Sequence, residues 1–203
     1  MTRGVVYVAY GEKARNEVLQ SAATLARSNP QLPAAVISDH PIRNLRHIHA
    51  PDPDDRGARS VKLAVDWLTP YQYTAYLDAD TRIYLPLEQG FNILADGYDL
   101  VITPSNHQED NVFYHIHPTE GQATMRYLGY VPFQLQGGVM FFRKSSNVHR
   151  FFAVWREEWL RWGNQDQAAL VRALHRQPLK VWLLGRPYNG GAVVAHLFGQ
   201  AAR

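Results

Sequence analysis

An α/β sandwich around a mostly parallel central sheet is the fold this sequence predicts, on three observations. Short β-branched and aromatic runs alternate with helix-spaced apolar residues along the whole chain. Such alternation is the pattern of strands joined by crossover helices. Polar residues able to do chemistry follow directly after the strand-like runs, where open α/β sheets bind their ligands. No linker or internal repeat interrupts residues 1–203, so one domain is expected.

Val5 to Tyr10 is apolar and aromatic and stops at Gly11, which makes it the first strand. Val18, Leu19, Ala22, Ala23, Leu25 and Ala26 then recur at helical spacing until Asn29-Pro30 ends them. Pro33 to Ser38 reads as a second strand. Pro41 to Arg59 is polar, proline-containing loop with room for one short strand, and it carries the acidic cluster Asp52, Asp54 and Asp55. Val61, Ala64, Val65 and Leu68 trace a second amphipathic helix that Thr69-Pro70 closes. Tyr73 to Leu77 is the next strand. A short helix around Phe91 to Leu94 leads to a strand over Asp99 to Thr103. Ser105 to Thr119 is irregular.

Leu135 to Phe142 is a strand interrupted by Gly137-Gly138. Phe151, Phe152, Trp155, Trp159 and Trp162 form a helical aromatic stripe that belongs in the core. Asn164 to Leu174 opens a further helix, and Leu179 to Leu184 is the last strand.

Composition excludes several classes. The chain has 203 residues, 46% of them hydrophobic, enough for a full core. It has no cysteine, which removes disulfides, thiolate catalysis and cysteine zinc sites. The net charge of +3 comes without a basic run, so an anionic small molecule fits better than nucleic acid. The absence of an N-terminal apolar leader and of an 18-residue apolar run predicts a cytoplasmic protein without an integral membrane segment.

Tyr76-Leu77-Asp78-Ala79-Asp80-Thr81 carries the strongest chemical signal. Asp78 and Asp80 are alternate residues at a strand end, so extended backbone directs both to one side. Paired oxygen donors suit a hard divalent cation that also grips phosphate. A polar turn is the other reading of the same residues. Gly137-Gly138 marks either a bulge or the close approach of a ligand. Asn164 and Asp166 could serve only to cap and charge a helix start. His107, His115 and His117 include a His-x-His pair that could bind metal but fits a polar loop better.

Taken together, these segments resemble glycosyltransferases of the GT-A fold, most closely family 8, the retaining group that includes glycogenin. The likeness runs from Val5 to Gly199 in order. Family 8 carries a lysine or arginine that reaches the donor phosphates, and Lys62 precedes Asp78 by the sixteen residues found in glycogenin-like members. Gln136-Gly137-Gly138-Val139-Met140 resembles the family's Asn-Ala/Ser-Gly-Val segment, and Asp166-Gln167 its Asp-Gln pair. Pro187-Tyr188-Asn189 resembles its Tyr-Asn segment, and His196-Leu197-Phe198-Gly199 its His-x-x-Gly, whose histidine is the third metal ligand.

Some segments depart from the family. Gln136 replaces an asparagine, and Ala9-Tyr10-Gly11 replaces the usual base-contacting residues. No Lys-Pro-Trp follows His196. Gln136 together with Arg143 resembles the family 77 type.

The resemblance implies a GT-A domain that transfers hexose, glucose or galactose, from a UDP-sugar to a hydroxyl acceptor with retained configuration. It implies manganese or magnesium on Asp78, Asp80 and His196. Donor contacts are implied for Ala9, Tyr10, Gly11, Lys62, Ala79, Gln136, Gly137, Gly138, Asp166, Gln167 and Asn189, with Lys62, Asp166 and Gln167 nearest the reaction. The acceptor, whether glycan, lipid, protein or polyol, is expected to meet Ser105 to Thr119 and Tyr127 to Phe133. A catalytically silent sugar-nucleotide-binding or scaffolding protein is the alternative. A dinucleotide oxidoreductase is disfavoured, because Gly11 is followed by Glu-Lys-Ala-Arg and no G-x-G-x-x-G occurs.

Overall fold

The structure, a computed structural model, describes residues 2–50, 53, 57–106, 113, 115–163 and 165–198. Asp52, Asp54, Asp55, His107, Glu109, Asp110, Asn164 and Gly199 lie outside the described residues.

Seven strands form the main sheet: β1 (Arg3–Ala9), β2 (Ala34–Ser38), β3 (Arg46–Ile48), β4 (Tyr73–Leu77), β6 (Leu100–Pro104), β7 (Leu135–Arg143) and β8 (Val181–Leu183). Their order is β3-β2-β1-β4-β7-β6-β8. All run parallel except β7, which is antiparallel to both β4 and β6. A second, two-stranded sheet pairs β5 (Thr81–Ile83) with β9 (Val194–His196). Because β7 runs backwards, its first residues share an edge with the last residues of β1 and β4. That edge holds the candidate site.

Helices cover both faces. α1 (Glu12–Ser28) and α4 (Glu88–Ala95) pack Val18, Leu25, Phe91 and Leu94 against Val5, Tyr7, Leu77, Val139 and Phe141. α2 (Ala58–Lys62), α3 (Val65–Leu68), α6 (Ser146–Leu160) and α7 (Gln167–Arg176) cover the opposite face through Val61, Val65, Phe151, Trp155 and Leu170, which meet Val6, Tyr76, Met140 and Phe142. Successive strand residues thus serve opposite cores, as the period of two demands. Burying these two layers is the main driving force for the fold. Among the described residues, no helix is long and apolar enough to cross a membrane.

Four elements differ from the sequence expectations. The second amphipathic helix is two short helices, with a break between Lys62 and Val65. Ser60, Val61, Lys62 and Leu63 are all buried there, between the sheet and the site, so no single exposed face exists to preserve a long helix. α5 (Pro118–Leu128) was not expected at all. Its buried face consists of Glu120, Gly121, Thr124 and Leu128, so hydrophobic periodicity misses it. Pro118 at its start and the left-handed Gly129 at its end are the signals that remain. β5 and β9 were also not expected, since three residues are too few for a local pattern.

The polar face of α5 is held by Arg172 of α7. Its guanidinium donates to Thr124 Oγ1 at 2.6 Å, Glu120 Oε1 at 3.1 Å and Glu158 Oε2 at 2.9 Å. Glu158 is fully buried and also accepts from Arg176 at 2.6 Å. Removing one partner from such a network strands the others without water. Arg172→Met is therefore expected to cost about 3–5 kcal/mol in urea unfolding. An unchanged midpoint would show that Glu120 and Glu158 are not uncompensated without it.

Candidate active site

The site begins with the chain leaving β4. Tyr76 and Asp78 are alternate residues, and the Tyr76 hydroxyl donates to Asp78 Oδ1 at 2.8 Å. Asp78 and Asp80 face His196, whose Nε2 lies 3.7 Å from Asp78 Oδ2 and 3.3 Å from Asp80 Oδ1. The pairing of β5 with β9 creates this meeting by setting Thr81 opposite His196, and Leu197 N donates to Asp80 O at 3.0 Å.

One oxygen or nitrogen from each of the three side chains falls within 4.8 Å of the others. Two carboxylates and an imidazole are a donor set for manganese or magnesium, with the nitrogen favouring the former. Gly138 completes the cradle. A Cβ there would lie 2.3 Å from His196 Cε1 and 2.5 Å from Asp78 Oδ2, so only glycine leaves the ligands room. The bulge reading of Gly137-Gly138 holds too, because the β6·β7 register shifts between Ile102 and Thr103.

Lys62 stands behind the carboxylates. Its Nζ lies 2.9 Å from Asp166 Oδ2 and 3.6 Å from Asp78 Oδ1, and it is 7% exposed. Burial would push this ammonium down, but Asp166 and then Asp78 outweigh it and hold its pKa above the ordinary lysine value. Burial would likewise push Asp166 up, yet Lys62 and Arg59 bring it below the usual carboxylate value. The pair therefore stays charged. The Tyr76 phenol is held well above its ordinary range by burial and by Asp78, so it remains a donor.

Asp166 stands at the N-cap of α7 but makes no side-chain capping bond, so its carboxylate serves Lys62 instead. The aromatic stripe supports it: Trp155 Nε1 donates to Asp166 O at 2.9 Å. Trp162 is partly exposed and stands outside that core.

A cavity of about 400 Å³ is lined by Arg59, Lys62, Asp78, Asp80, Gln136, Asp166, Gln167 and His196, and also by Ser105, Asn106, His115, Gln165 and Phe198. A second of about 370 Å³ adjoins it across Arg59, Lys62, Asp78 and Asp80, and reaches Val8, Ala58, Tyr76 and Ala79. Most of the residues named from the sequence thus converge. Ala9, Tyr10, Gly11, Gly137, Gly138 and Asn189 line neither cavity. Ala9 is fully buried, Gly11 N donates to Asp39, and Asn189 Nδ2 donates to Pro104 O at 3.0 Å. His117 caps α5 as a loop histidine would, whereas His115 enters the cavity.

Sequence reasoning missed Arg59, Tyr76, Gln134 and Phe198. Two of these left a signal: Arg59 is one helical turn before Lys62, and Tyr76 is two residues before Asp78.

The backbone resembles that of the galactosyltransferase LgtC in two crystal structures. An active-site glutamine-to-glutamate mutant gives a TM-score of 0.63 at 13% identity, and a complex with donor and acceptor sugar analogues gives 0.60 at 14%. Each match covers 90% of this chain and 73% of LgtC. Mouse xyloside xylosyltransferase 1 gives 0.64 at 9% identity over 99% of both chains.

The chain has the GT-A fold. No protein-family model and no curated protein matches the sequence. The GT-A likeness is therefore one of backbone, and in this GT-A chain the cavity lies at the strand ends, as its sheet topology requires.

Removing charge from the Asp-Asp-His group should weaken manganese binding without unfolding the chain. Asp78→Asn and Asp80→Asn are expected to abolish most manganese affinity, followed by paramagnetic resonance titration. Gly138→Ala should lower it by about 10–100-fold through displaced ligands. Wild-type affinity in all three would remove the metal assignment.

Proposed function

We propose that this chain is a metal-dependent retaining glycosyltransferase that moves a hexose, glucose or galactose, from a UDP-sugar to a hydroxyl acceptor. The observation that carries this reading is the cavity itself. In a GT-A fold, it brings Asp78, Asp80 and His196 together with the Lys62–Asp166 ion pair and Gln167. LgtC, similar in fold, is described in complex with donor and acceptor sugar analogues, and this supports a donor and an acceptor as the ligands of this chain.

Asp78, Asp80 and His196 would hold manganese or magnesium. When bound, the cation offsets charge on the donor diphosphate. Lys62 adds a point charge whose value rises as the diphosphate departs. Asp166, kept ionised by Lys62, accepts hydrogen bonds from sugar hydroxyls. Gln136 and Gln167 orient the sugar ring. The acceptor approaches past Ser105, Asn106 and His115, with the exposed Tyr127, Tyr130 and Phe133 nearby in sequence on the segment before β7.

Transfer breaks the bond between the anomeric carbon and the diphosphate oxygen and forms one to the acceptor oxygen on the same face. The acceptor proton passes to the departing diphosphate oxygen. Retention is supported by the carboxylates at hand. Among the described cavity-lining residues these are Asp78 and Asp80, facing His196, and Asp166, ion-paired to Lys62. A carboxylate base for inversion is not among them.

Thermal shift against UDP, UDP-glucose and UDP-galactose with manganese tests the donor assignment. A ligand at a hundred times its Kd should add about 2.7 kcal/mol of stability, and less without metal. No shift with any nucleotide sugar would overturn it. Lys62→Ala should lower kcat beyond any rise in KM, since its charge acts most on the departing diphosphate. Gln167→Ala should slow transfer yet leave an α-linked product by NMR of the anomeric proton. A β-linked product from the unaltered protein would overturn retention.

A further inference from the structure

Three carboxamides stand in a row beside the cavity, and their polarity is set from one end. Gly138 N donates to Gln136 Oε1 at 3.3 Å. A backbone N–H can only donate, so the Gln136 atom facing it must be oxygen. Gln167 Nε2 donates to that same oxygen at 3.2 Å, which uses its second lone pair. The other end of the Gln167 carboxamide is then its oxygen, and it receives Gln134 Nε2 at 3.2 Å.

Gln134 is fully buried and does not line the cavity, and its amide reaches the cavity lining by donating to Gln167. Its main chain is anchored too, with Ser105 N donating to Gln134 O at 2.9 Å. Reversing Gln167 alone would set oxygen against oxygen at Gln136 and N–H against N–H at Gln134. Both ends oppose the flip.

We infer that Gln134 is a positioning residue for sugar transfer: by donating to Gln167 Oε1, it locks the Gln167 carboxamide in one orientation beside the donor sugar. This rests on reading the cavity as a glycosyl-donor site. The lock matters because a dipole fixed in advance needs no reorganisation as charge develops on the anomeric carbon. It also sets what Gln136 offers. Both lone pairs of its oxygen are taken, so it presents N–H groups and recognises an oxygen acceptor on the sugar.

The full-length Gln134→Met and Gln134→Glu variants test this. Both keep the length of the side chain, and both remove the amide donor. A buried carboxyl titrates above its ordinary range, and its protonated form can donate where the ionised form cannot. UDP affinity with manganese, measured by calorimetry, should match wild type in both.

At pH about 8, UDP-sugar consumption should show kcat lowered about tenfold or more, with KM nearly unchanged. Turnover of Gln134→Glu, relative to wild type at each pH, should recover as pH falls to about 5. Turnover of Gln134→Met should not recover. Taking the ratio to wild type at each pH removes the pH dependence that the two proteins share.

Variants that turn over like wild type, or a Gln134→Glu ratio flat with pH, would overturn the inference while leaving the donor-site reading intact. Loss of UDP affinity in step with turnover would make Gln134 merely structural and also overturn it. Wild-type protein that neither binds UDP nor consumes a UDP-sugar would overturn both. Should Gln134→Met fail to fold, the Gln134→Glu profile alone decides.

Discussion

A buried ammonium among carboxylates governs this molecule's functional edge. Asp78, Asp80 and Asp166 line one cavity, and Lys62 is the cation in contact with two of them. Without it, Asp166 would keep only Arg59, at 3.8 Å, as a cationic partner in this largely buried place, and its burial would oppose the charged form. The surroundings respond to that need. α2 ends at Lys62, which leaves the ammonium at the sheet edge, and the Trp155 indole fixes Asp166 from behind. The aromatic stripe is therefore both core and support, and a packing change there would reach the site through a single hydrogen bond.

The reversed strand β7 does a second job. Entering the sheet between β4 and β6 from the active edge, it delivers Gly137 and Gly138 beside Asp78 rather than at the far side. Close approach of backbone to the Asp78, Asp80 and His196 group is possible because no Cβ intervenes. The β5·β9 ladder then returns the chain across the same edge, which sets His196 against Asp80. Three strands that differ in length and direction thus converge on one donor set.

Polar groups also specify structure away from the site. Arg172 of α7 binds Glu120 and Thr124 of α5 and Glu158 of α6. Buried charge of this kind contributes little net stability compared with hydrophobic packing, but it admits few alternative arrangements. The carboxamide row follows the same logic on a smaller scale. Neutral groups with two distinguishable ends are ordered by one backbone donor.

The sequence alone predicted the alternating α/β architecture and the polar residues at the strand ends. These rest on local rules: a period of two or 3.6 in apolar residues, and polar residues at strand ends. Asp78 and Asp80 were legible in that way, whereas Lys62, Gln136, Asp166 and Gln167 were named through the family resemblance. The tertiary structure decided the rest. His196 meets Asp80 only through pairing between segments more than a hundred residues apart.

α5 hides from hydrophobic periodicity because its buried face is polar and satisfied by a distant arginine. Ala9, Tyr10, Gly11 and Asn189 sit in matching positions along the chain yet line neither cavity. The physical reason is common to all of these. Period and turn chemistry act within a few residues, whereas ion pairs, metal donors and amide polarity depend on distances that exist only after the sheet has formed.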